Sequence, residues 1–77
     1  MIGSKKRRKN YELGNLIYEK GFYPYQISER LGYTKGVAYA WIDGKKEPCA
    51  RDMIRIAEIL DVPVERIVRI FGGNDVI

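Results

Sequence analysis

Met53, Ile56, Ala57 and Leu60 recur at the i, i+3, i+4 and i+7 spacing, which gathers side chains on one face only if the backbone is helical. That pattern predicts a helix over about Ala50–Leu60, and the same period recurs along the chain between glycine and proline breaks. Leu13, Leu16 and Ile17 predict a first helix from about Asn10 to Lys20, stopped by Gly21. Gly14 inside it costs about 1 kcal/mol relative to alanine, which suggests a close approach by another helix. Pro24 opens a second helix at a position where its missing N–H does no harm, with Tyr23 at the cap, Ile27 and Leu31 inward, and Gly32 at the end. Thr34 reads as the cap of a third helix, about Lys35 to Ile42, with Ala38, Trp41 and Ile42 inward and Gly44 as terminator. Pro63 opens a fifth helix carrying Val64, Ile67, Val68, Ile70 and Phe71. With no convincing strand and only short loops, the expected fold is all-α, five helices packed as one compact unit.

Length and charge narrow the function. A chain of 77 residues is one domain at most, and its residues divide into a basic flexible arm (1–9), a helical domain (10–71) and a mobile C-terminal tail (72–77). The net charge is +4, yet Lys5, Lys6, Arg7, Arg8 and Lys9 alone carry +5; the other nine basic and ten acidic side chains sum to −1. The body is therefore nearly neutral and the excess sits in the arm. Such a run is either a solvated tail or a contact for an anionic partner, since clustered Lys and Arg displace counterions from phosphates. No apolar run approaches the ~18–20 residues of a membrane span, no apolar stretch follows the basic start as in a signal peptide, and no membrane partner is expected. The absence of histidine excludes imidazole metal sites and Ser-His or Cys-His nucleophiles. No phosphate-loop pattern occurs, so neither an enzyme, a cofactor nor a small-molecule ligand is expected. The single cysteine, Cys49, cannot form an internal disulfide, which fits a reducing cytoplasm.

The second and third helices, joined by "LGYT", have the sharp glycine bend that a helix-turn-helix needs. Here the chain resembles the phage repressor and Cro-type helix-turn-helix proteins. The resemblance runs through "GFYPYQISERLGYTKGVAYAWIDGKKEP" and "MIRIAEILDVPVERI", roughly residues 13–67. It rests on Gly21 before the second helix, the Ile27-Ser28 pair, the turn glycine Gly32, the cap Thr34, the exit Trp41, Gly44, Lys45 and Pro48, and the ending Ile59-Leu60-Asp61-Val62. It implies a repressor-like, sequence-specific reader of double-stranded DNA. Such a protein would be a bacterial or phage transcription regulator, acting as a homodimer with its third helix in the major groove.

Carried onto this sequence, the family's base-facing positions are Lys35, Gly36 and Ala40, with Val37 and Tyr39 beside them. Lys35 can donate to guanine; Val37 or Ala40 can meet a thymine methyl; Tyr39 can reach a phosphate or a base edge. Pro24 stands where the family often has a glutamine, which leaves that phosphate anchor to Tyr23 and Tyr25. Thr34, Lys45 and Lys46 complete the expected phosphate contacts, and Lys5, Lys6, Arg7, Arg8 and Lys9 form an arm along a groove or the backbone. Ile17 and Ile42 replace an ion pair common in the family. Substituting both halves of such a pair with apolar residues can be neutral or stabilising, so the two are expected to touch. Ile70, Phe71, Val76 and Ile77 are either the dimer surface or, for the first two, part of the core. The alternative of another class is a protein-interaction module of the same fold, an antitoxin or regulatory partner, with a dispensable third helix.

Overall fold

The computed structural model describes residues 9–72, and among them the regular structure is entirely helical. The five helices are α1 (Tyr11–Glu19), α2 (Pro24–Arg30), α3 (Val37–Ile42), α4 (Ala50–Leu60) and α5 (Val64–Ile70). Their boundaries follow from local chemistry. Asn10 caps α1 by accepting from the Leu13 amide at 3.3 Å. Tyr23 is extended (φ −105°, ψ 152°) ahead of Pro24 at the start of α2, as the proline requires. Gly32 (φ 87°) and Gly44 (φ 79°) adopt left-handed backbone after α2 and α3. The end of α4 was less legible: Asp61 takes the left-handed cap at φ 60°, a conformation that Asp tolerates better than most non-glycine residues.

α2 packs against α3 and α4 against α5, while α1 touches α2, α3 and α5. The core that joins them consists of Leu13, Leu16, Ile17, Ile27, Leu31, Ala38, Trp41, Ile56, Ala57, Leu60, Ile67 and Ile70. Each large side chain among them contributes roughly 1.5–3 kcal/mol by leaving water. Asn10 adds a polar tie, since its amide donates to the Ile42 carbonyl and its Nδ2 donates to the Ile70 carbonyl at 3.2 Å. One residue thus connects the start of α1 to the ends of α3 and α5.

Ile42 meets α1 at Gly14, one turn before Ile17. A Cβ placed on Gly14 would stand 3.7 Å from Ile42 Cδ1 and 3.8 Å from its Cγ2, which is ordinary van der Waals contact. The approach is close but leaves room for a methyl group. Gly14→Ala is therefore expected to stabilise the domain by about 1 kcal/mol through helix propensity, measured by denaturant unfolding. A loss of stability would show that α1 and α3 pack more tightly than these distances indicate.

Candidate nucleic-acid interface

α3 starts two residues later than its sequence suggests, and its cap comes from another helix. Gly36, not Thr34, precedes the first helical residue, and no side chain at that position caps it. Thr34 contributes its carbonyl, which accepts from the Val37 amide at 3.2 Å. The side-chain cap is Ser28 of α2, which is fully buried. Its Oγ accepts from the Ala38 amide at 2.8 Å and donates to the Lys35 carbonyl at 3.2 Å. The Pro24 carbonyl lies farther from the same hydroxyl, at 3.5 Å. A hydroxyl has one proton and two lone pairs, so this geometry uses it well. Ser28 thereby fixes the start of α3 against α2, and the long-range pairing explains why a local reading chose Thr34.

A second polar pair anchors the turn between the two helices. Tyr33 donates its phenol to the Asp52 carboxylate, with 2.8 Å to Oδ2 and 3.0 Å to Oδ1. Asp52 is buried in the first turn of α4. This hydrogen bond is the main reason the Tyr33 pKa is raised; desolvation and the negative charge of Asp52 add to it, and Arg55 opposes it. A raised pKa favours the protonated phenol in the folded state. The stabilisation is thus fully present below pH ~10, where an unfolded tyrosine titrates, and is lost as pH rises through the folded value. Wild-type stability is therefore expected to fall more steeply than that of Tyr33→Phe as pH is raised above ~10. Parallel curves from denaturant unfolding would remove this role.

The outer side of residues 35–42 is open. Lys35 and Gly36 are exposed, Tyr39 is 43% exposed, and Val37 and Ala40 are half-buried, while Ala38 and Trp41 point into the core. Gly36 has right-handed helical backbone (φ −80°, ψ −7°), and a Cβ there would meet nothing within 4 Å. Neither backbone strain nor packing within the domain calls for glycine at this position.

Beside this face runs a ladder of tyrosines. Tyr23 and Tyr25 stack with ring centroids 6.1 Å apart and planes at 8°, and Tyr18 of α1 meets Tyr23 edge to face at 5.8 Å. The Lys35 ammonium stands over the Tyr25 ring, 5.7 Å from its centroid. Gln26 orients the ladder by accepting from the Tyr23 amide at 2.8 Å. Nothing in the local sequence distinguishes Tyr18 from a solvated helix residue, so its membership emerges only from the fold.

Thr34, Lys45 and Lys46 are exposed. The amides of both lysines turn back onto the Ala40 carbonyl, at 2.9 Å and 3.3 Å, which holds their loop against the end of α3. Lys9 and Lys46 line one open cleft of about 710 Å3, so Lys9, the last residue of the basic run, lies near the lysine loop. Lys5, Lys6, Arg7 and Arg8 lie outside the described residues, as do Val76 and Ile77. Ile70 is buried and Phe71 half-buried against the core, so much of their apolar surface is used inside the monomer. On α4 and α5 the large apolar side chains left exposed are Ile54 (50%) and Val68 (39%). Comparison of this chain with protein-family models, curated proteins and solved structures finds no match.

Proposed function

We propose that this protein is a helix-turn-helix reader of double-stranded DNA, with α2 and α3 as the two helices and the outer side of α3 entering the major groove. The observation that carries the reading is Gly36. It is an exposed glycine at the start of α3 that the monomer does not need, and it would let the backbone approach a groove floor closely. Positions where a local preference is given up without internal cause are expected at functional surfaces. Tyr39, Val37 and Ala40 offer methyl and phenol contacts to base edges. Tyr23, Tyr25, Thr34, Lys45 and Lys46 are all exposed and would meet the phosphates that position the duplex. The basic arm would add a salt-dependent contact from the side of Lys46.

A homodimer would place two copies of α3 about 34 Å apart on a two-fold symmetric site. Ile54 and Val68 are available for such an interface. The same two side chains would serve a partner-binding module of this fold, in which α3 is dispensable. Selection of bound fragments from random duplex DNA at physiological salt separates the readings. Enrichment of one motif, repeated with two-fold symmetry, is the expected result; absence of any enriched motif rejects sequence-specific DNA reading.

A further inference from the structure

Resting on the DNA-reading role, we infer that Lys35 is a phosphate-contacting residue working with Tyr25, and that base discrimination falls on Val37, Tyr39 and Ala40. By sequence Lys35 is the residue best equipped to recognise guanine. Its surroundings give it a different task. Lys35 lies in the turn before α3, not on the helix, and its carbonyl is held to α2 by Ser28 Oγ at 3.2 Å. Its ammonium extends back over the Tyr25 ring of α2.

The ladder explains what that position offers. Tyr25 is stacked on Tyr23 at 6.1 Å with nearly parallel rings, and the cation lies over Tyr25. Tyr18 meets Tyr23 at 81°, so the three rings brace one another while each tyrosine remains at least one-third exposed. The Tyr25 face beneath the ammonium is not free to stack on a nucleobase. Ordered phenols beside a positive charge suit an oxyanion, for which neutral and charge-assisted hydrogen bonds are both available. A phosphate drawn to Tyr23 and Tyr25 finds the Lys35 charge beside them without the lysine leaving the ring. A lysine that turned to a base edge would forfeit the cation–π contact.

The test uses the full chain and the site recovered by selection. Affinities of wild type and Lys35→Ala are measured on that site and on each of its single-base variants, at several salt concentrations. Lys35→Ala should lower affinity by a similar factor on every sequence and reduce the slope of log affinity against log salt by about 0.9 per lost phosphate contact. In a Tyr25→Leu background the Lys35→Ala factor should shrink, because the ring that orders the ammonium is gone. A preference lost at one base pair, with the salt slope unchanged, overturns the assignment and leaves DNA reading intact. An undiminished Lys35→Ala factor in the Tyr25→Leu background overturns the pairing with Tyr25. If wild type selects no site, the DNA-reading role and this assignment fall together.

Discussion

Gly36→Glu is expected to weaken binding to the selected duplex by about 100-fold or more, because like charges brought together at an interface cost several kcal/mol. The domain itself should keep its stability within about 0.5 kcal/mol, as surface substitutions away from special features usually do. The reason lies in the local geometry. With φ −80° and ψ −7° the backbone suits any L-residue, and the space where a Cβ would stand is empty within 4 Å. A glutamate therefore changes only what approaches from outside, bringing bulk and a carboxylate to the face proposed to meet a polyanion. Gly36→Ala should produce a smaller loss by the same route. Binding of Gly36→Glu at wild-type affinity would place the DNA surface elsewhere, whereas loss of folding would mean that Gly36 is needed inside the domain. If function proves to be partner binding through α4 and α5, Gly36→Glu should leave it unaffected.

Ser28→Ala should be the most damaging small substitution for the fold. It removes the acceptor for the Ala38 amide and the donor for the Lys35 carbonyl while barely changing the volume of the site. A buried polar group left without its partner costs about 1–3 kcal/mol. For a domain of this size each kcal/mol lowers the melting temperature by roughly 4–8 °C. The groups left behind are backbone ones, the Ala38 N–H and the Lys35 carbonyl, and alanine offers neither of them a replacement partner. DNA affinity should fall as well, since Ser28 fixes the start of α3 against α2. Denaturant unfolding within about 0.5 kcal/mol of wild type would show that the turn supplies its own cap.

The helices were legible because their apolar residues are spaced at the helical period and because glycine and proline mark most of the breaks. Met53, Ile56, Ala57 and Leu60 needed no tertiary information. The inward set Ala38, Trp41 and Ile42 was equally readable: the first two are buried and Ile42 is half-buried against the core. What stayed hidden depended on residues distant in sequence. Thr34 has the chemistry of a cap, but Ser28 occupies that role from α2, and a cap supplied by another helix leaves no local pattern. Asp61 ends α4 in left-handed geometry without the glycine that usually announces it. Tyr33 and Asp52 are 19 residues apart, and their pairing depends on how α4 packs against the turn. On the proposed interface, exposure of Tyr39 followed from helical spacing once Trp41 was placed inside, whereas Lys35 and Gly36 are exposed in the turn before the helix. The destination of the Lys35 side chain did not, because Tyr25 reaches it from the preceding helix.

The most direct test is to titrate duplex DNA into isotopically labelled protein and map the amide signals that move. The duplex recovered by selection should be used or, failing recovery, a random-sequence duplex at low salt, where non-specific affinities are strengthened. The account predicts that the largest changes cluster on Gly36, Val37, Tyr39 and Ala40, with a second group at Tyr23, Tyr25 and the Lys45–Lys46 loop. Changes confined to α4 and α5 around Ile54 and Val68, with residues 35–42 silent, would contradict it.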